Sequence, residues 1–298
     1  MDRTRSPRAT AGRITLAALL ALLSLPALAR HPVVEAARSA VFNADAEAAV
    51  AAGEKAAGAV PKDAEAWYYA GQAYGRMAIE ASMLRKASWA NKARDAFRKA
   101  ATLDPDHLGA REGLVQYYTL VPAIMGGGED KATAEIADYA RRNPAGGHYL
   151  RALTLKGDAA ERELRTAVRM APGEVVFRSA LVNVLDRAKR PADALAALEA
   201  ALQRTPDHAR LLYSLGRHAA LHDVRLEAGK AALDRIIGKT AVAFDEVPKA
   251  GAHWRRGQLL EKLGQQAAAL ADYRKALVLD PGLDEARAEI ARLTAGGK

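Results

Sequence analysis

Several stretches of this 298-residue chain bring together residue types that could do chemistry. Gly238-Lys239-Thr240 has the tail of a phosphate-binding loop, but that loop needs a glycine five positions before its last glycine so the backbone can curl around phosphates. Leu233 stands there, and a helical pattern rather than a strand leads in, so a helix end at Gly238 is the better reading. In Met125-Gly126-Gly127-Gly128-Glu129-Asp130-Lys131, successive amides could cradle an anion. No Lys-Ser or Lys-Thr follows, and the stretch reads as a link between helices, with Glu129 or Asp130 complementing the next helix dipole. His218 and His222, four apart beside Asp223, offer two metal ligands on one helix face. Two are too few and no third is identifiable, so they read as surface histidines and no metal site is expected. The chain has no Gly-x-Ser-x-Gly elbow, His-Glu-x-x-His helix or Ser-x-x-Lys pair. Its carboxylates read as solvated helix surface, so neither catalytic residues nor a cofactor is expected.

Composition narrows the scaffold that must position anything else. Half the residues are apolar and 27% charged, which suits a folded core. Without cysteine there is no disulfide, zinc thiolate or thiol nucleophile. Aromatics are 5% of the chain while alanine abounds, which favours closely packed helices over sandwiches or barrels.

Residues 1–29 read as an export signal. Arg3, Arg5, Arg8 and Arg13 precede an apolar run at 14–29 that closes on Ala27-Leu28-Ala29, and cleavage is expected after Ala29. As a helix the run would span roughly 24 Å, short of the roughly 30 Å hydrocarbon core, and Pro26 interrupts it. The expected mature protein, residues 30–298, is periplasmic or secreted and has no membrane span. Its formal charge is +6 of the chain's +9, since four arginines and Asp2 leave with the signal. Acidic and basic residues are interleaved, which describes a solvated helical surface and not a nucleic-acid footprint.

One phrase recurs along the chain: Ala, a bulky residue four later, Ala three after that, and Pro five beyond. The copies are Ala93, Phe97, Ala100, Pro105; Ala160, Leu164, Ala167, Pro172; Ala194, Leu198, Ala201, Pro206; and Ala269, Tyr273, Ala276, Pro281. A fifth, Ala49, Gly53, Ala56, Pro61, lacks only the bulky residue. Residues three, four and seven apart share a helix face, so each phrase is a helix with a small, bulky, small stripe, ended by proline. Upstream lies a second helix type, seen in Trp67, Gly71 and Tyr74, in Leu215-Gly216, and in Gly257 and Leu260. Its glycines allow close crossing.

These residues resemble the tetratricopeptide repeat family, with its Trp, Leu-Gly, Tyr, then Ala, Phe, Ala and Pro. Gly257, Leu260, Gly264, Ala269, Tyr273, Ala276 and Pro281 fall in family register, with His253 where tryptophan is usual. The resemblance implies an all-α, right-handed α-solenoid of antiparallel helix pairs. A partial pair at 33–61, about six units over 64–281 and a capping helix at 283–295 are expected. Proline intervals place an insertion near residues 77–91 and extra residues near 241–249. The unit at 211–238 keeps Leu215, Gly216 and Ala228 but loses the later alanine and proline, leaving its second helix the least defined. Met77, Ile79, Met83, Leu84 and Trp89 in the insertion carry more apolar surface than a loop requires, and either pack over the first helices or form a lid. Residues 122–132 look like a segment of exported bacterial repeat proteins.

In this family the first helix of each pair lines a concave face that selects the ligand. Carried across, the register points inward Tyr68, Gln72 and Arg76; Gln116; Asn183 and Arg187; Tyr213 and Arg217; then Trp254, Arg255, Gln258 and Lys262. Aromatics beside guanidinium and amide groups suit an extended peptide. Some members grip a terminal carboxylate with an array of basic residues; Asn183 and Arg210 echo it, but Ser179 occupies one basic position. The expectation is a protein- or peptide-binding module with a basic, aromatic-containing groove. The alternatives are an envelope scaffold using lateral and terminal faces and, more remotely, an unrecognised hydrolase or metal-binding protein.

Overall fold

The computed structural model describes residues 31–238 and 247–295. Among them there are α-helices and one 3-10 turn (Ala123–Met125) but no strand. The expected signal at 1–29, Lys239 and Thr240, and most of the extra segment near 241–249 lie outside the described residues. In chain order, α1 (Pro32–Asn43) pairs with α2 (Ala46–Ala59), α3 (Ala64–Glu80) with α4 (Met83–Leu103), and α5 (Leu108–Leu120) with α6 (Glu129–Ala140). Then α7 (Pro144–Leu153) pairs with α8 (Gly157–Met170), and α9 (Val175–Arg187) with α10 (Pro191–Arg204). The last pairs are α11 (Ala209–His222) with α12 (Leu226–Ile237) and α13 (Lys249–Lys262) with α14 (Gln266–Leu279), followed by α15 (Asp284–Ala295). Short links between partners make each pair an antiparallel hairpin, and the row of hairpins is an α-solenoid. No described helix is long and apolar enough to cross a membrane.

The recurring phrase explains both packing and punctuation. Helices α2, α4, α8, α10 and α14 each stop two residues before Pro61, Pro105, Pro172, Pro206 and Pro281, because proline disfavours helical backbone in the residue before it. The carbonyls of four of these prolines accept a side-chain bond from six residues on: Trp67 to Pro61 at 2.9 Å, Arg111 to Pro105 at 3.3 Å, Arg287 to Pro281 at 2.5 Å, and Arg178 to Pro172. The turn is thereby fastened to the next first helix.

The alanines of the four full copies are buried, and two of the bulky residues between them, Phe97 and Tyr273, sit against glycine. A Cβ on Gly71 or Gly113 would lie 2.6 or 2.5 Å from the Phe97 ring, and one on Gly257 would lie 2.6 Å from Tyr273. Leu233 occupies the corresponding place over Gly216. Burying each such side chain contributes about 1.5–3 kcal/mol. In the unit at 211–238 the register differs by one from the sequence expectation. Ala228 is exposed, and the buried stripe is Gly229, Leu233 and Ile236, because Leu233 must meet Gly216. In α6 the stripe is Ala132, Ile136 and Tyr139, with tyrosine where the phrase has its second alanine.

The insertion is not a loop: it lengthens α3 to Glu80 and starts α4 at Met83. Met77 and Trp89 are half-buried, Trp89 stacking on Tyr74 at 5.9 Å, whereas Ile79, Met83 and Leu84 face solvent.

A candidate partner-binding groove

Successive first helices touch: α1 with α3, α3 with α5, α5 with α7, α9 with α11, and α11 with α13. Second helices of neighbouring pairs do not pack on one another to a comparable extent. The row therefore curves with its first helices on the inside. The curve brings α1 against α13, where the Lys249 backbone N–H donates to Asn43 Oδ1 at 3.2 Å.

At the α9–α11–α13 end, the expected residues form one connected patch. Arg217 donates to Asn183 Oδ1 at 2.5 Å and lies 3.5 Å from Asp186 Oδ2. Tyr213 lies near the Arg255 guanidinium, and burial raises the tyrosine's pKa against the opposing pull of that charge. Arg255 stacks over the Trp254 ring at 3.9 Å and donates to Gln258 Oε1 at 2.9 Å, and burial holds its pKa below the ordinary guanidinium value. Trp254 Nε1 and Arg255 Nε are buried donors without an acceptor among the described residues. Leaving such a donor unsatisfied costs about 1–3 kcal/mol. Arg187 is exposed and forms no ion pair among the described residues.

Along α3, α5 and α7 the arrangement differs. Tyr68 packs at 4.7 Å on His107 and 5.0 Å on Tyr69, and Gly109 leaves room for its ring. Gln72 is half-buried, while Gln116 donates to Glu112 Oε1 at 2.9 Å. Glu112 is the residue sequence reasoning missed. Burial raises its pKa despite the Tyr149 hydroxyl at 2.7 Å and the charge of Arg210 on α11. This corrects the expectation that the carboxylates are solvated surface; Glu161 and Asp272 are buried as well. A lone glutamate on a helix carries no sequence signal of burial. Its partners lie on other helices, Tyr149 being 37 residues away.

Two expected groove cations serve the scaffold. Arg76 donates to Val41 O at 3.2 Å and Ala44 O at 2.5 Å, fastening the end of α1. Lys262 donates to Ala220 O at 2.8 Å and pairs with Asp223, holding the end of α11. The glycine-rich link is a closed turn: the amides of Gly126, Gly127 and Gly128 donate to Ala123, Pro122 and Tyr118 carbonyls, so none of these three is turned outward toward an anion. Gly238 caps α12, its N–H donating to Asp234 O at 2.9 Å.

The histidine expectation needs correction. His218 is fully buried rather than superficial, and Asp186 places a third potential ligand atom beside the two histidines. Burial pushes the His218 pKa down, toward neutral imidazole. Asp186 precedes His218 by 32 residues, close to one repeat, and Asn183 precedes Arg217 by 34. That interval is the signal that would have found it.

A profile of the tetratricopeptide repeat family matches residues 250–283, which cover α13 and α14. The α13–α14 pair thus matches one tetratricopeptide repeat. Among solved structures it is similar to the human IFIT1 dimer with PPP-AAAA, at 18% identity and a TM-score of 0.53, covering 83% of this chain and 59% of that one. It is also similar to the APC/C hetero-tetramer Cut9-Hcn1, at 16% identity and a TM-score of 0.50, covering 83% and 48%. Yeast Tom70 matches at 12% identity and a TM-score of 0.50, covering 84% and 52%. The chain therefore spans about half the length of these chains, and at such identities the likeness is one of fold. No curated protein matches it in sequence.

Proposed function

We propose that this chain is an exported, non-enzymatic binding module of the tetratricopeptide repeat type that holds a protein or peptide partner against its first-helix face. The reading rests on Trp254 Nε1 and Arg255 Nε, two buried donors without a partner among the described residues, beside Tyr213 and Arg217. Donors of this kind, with a stacked arginine-tryptophan pair, suit the carbonyls and carboxylates of an extended segment. Export follows from the leader-like residues 1–29, and amino-terminal sequencing of the protein recovered from the periplasm should begin at Arg30.

The test is replacement of Tyr213, Arg217 and Trp254 together by alanine, with helix content checked by circular dichroism. Partners crosslinked in the native envelope should be lost, by roughly 30-fold or more if these are binding hot spots. Unchanged capture would overturn the groove reading and favour the scaffold one. The scaffold reading has an observation of its own: Ile79, Met83, Leu84, Leu120 and Ile124, at the tips of the second and third hairpins, are 78–96% exposed.

A further inference from the structure

Asp186 near the end of α9 and His218 and His222 on α11 converge from neighbouring repeats. Asp186 Oδ1 lies 2.9 Å from His218 Nδ1 and 3.4 Å from His222 Nε2, and three donor atoms, one per side chain, lie within 4.8 Å of one another. Four-coordinate zinc, with bonds of about 2.0–2.2 Å, sets its ligand atoms roughly 3.3–3.6 Å apart. The cluster is close to that spacing before any ion draws it together.

Two further observations point to a ligand. His218 is fully buried, yet among the described residues its Nε2 has no partner, and His222 Nε2 is also buried and without a hydrogen bond there. The rings lie 4.6 Å apart at 48°, and one nitrogen of each already lies within 4.8 Å of the other and of the carboxylate oxygen. Arg217 approaches the other carboxylate oxygen, Oδ2, at 3.5 Å, which leaves Oδ1 directed at the histidines. Two imidazoles and one carboxylate suit a borderline transition ion. Calcium and magnesium, which require six or more oxygens, do not fit.

We propose that Asp186, His218 and His222 form a three-ligand site for a divalent transition-metal ion of the zinc class. The fourth position is left to water or to a donor from a partner. Such an ion ties α9 to α11 across the repeat boundary. This assignment stands apart from the groove reading, because it is tested without any partner.

The probe is Zn2+ titrated into the full chain against a chromophoric chelator, with Co2+ as a spectroscopic substitute. One zinc ion per chain is expected, together with the intense visible absorption of four-coordinate cobalt. D186N and H222A should weaken zinc binding about 100-fold or more while keeping wild-type helix content. His222 is half-buried at a helix end, so H222A keeps the test open if D186N fails to fold. Absence of stoichiometric zinc in the wild type, or equal affinity in the folded variants, would overturn the assignment.

Discussion

Phe97 is held between two glycines, and this makes a sharp prediction about overpacking. Its ring edges lie 2.6 Å from where a Gly71 Cβ would stand and 2.5 Å from where a Gly113 Cβ would stand. Carbon atoms in contact normally sit about 3.5–4.0 Å apart, so either alanine overlaps the ring by about 1 Å. The ring cannot retreat from one helix without striking the other. G113A should therefore cost about 1–3 kcal/mol, although alanine is favoured over glycine within a helix by about 1 kcal/mol. In an F97L background the obstruction is smaller, and the same change should become neutral or stabilising by a few tenths of a kcal/mol or more. Urea denaturation of the four proteins, monitored by circular dichroism, yields the cycle, with a coupling of about 1–3 kcal/mol between the sites. Equal cost of G113A in both backgrounds would refute the reasoning, because the ring would then not be what excludes the methyl group.

Other perturbations follow from the buried polar groups and the closed turn. Glu112, its pKa raised by burial, holds its proton more tightly folded than unfolded, so its contribution to stability is full below the ordinary carboxyl value and falls as pH rises through the raised one. E112Q should accordingly melt higher than wild type at neutral pH, with the advantage vanishing in acid; a lower melting point at neutral pH would contradict this. Asp272 is the opposite case: burial alone would raise its pKa, but bonds from Arg256 at 2.6 Å and His253 at 2.8 Å outweigh it and hold the pKa below the ordinary value. Its contribution is present above the ordinary carboxyl value and lost as pH falls through the depressed one, and D272A should cost about 3–5 kcal/mol at neutral pH in a chemical melt. G127A should destabilise the α5–α6 hairpin, because its Cβ would overlap the Val121 carbonyl; unchanged amide exchange in α6 would count against the closed turn.

The scaffold was legible where a bulky side chain and a glycine recur at fixed spacing. Phe97, Leu164, Leu198 and Tyr273 announced their helices because two flanking alanines marked the same face. The stripe in α6 was hidden because Tyr139 replaces an alanine, and that in α12 was offset because Ala228 sits beside the glycine that is buried. For the groove, register placed residues on the first helices but could not say which were already engaged. Arg76 and Lys262 are drawn to the carbonyl ends of α1 and α11, whereas Trp254 and Arg255 keep donors unmatched. Glu112 and Asp186 were overlooked because their partners stand about one repeat away in sequence.

The meeting of α1 and α13 bears on how any ligand arrives. With those helices in contact, the inner face belongs to a loop joined to itself, so entry is from an open end or through the seam at Asn43 and Lys249. A threaded strand needs no such parting, whereas a folded domain does. A crosslink sewn across that seam would consequently sort the two kinds of cargo.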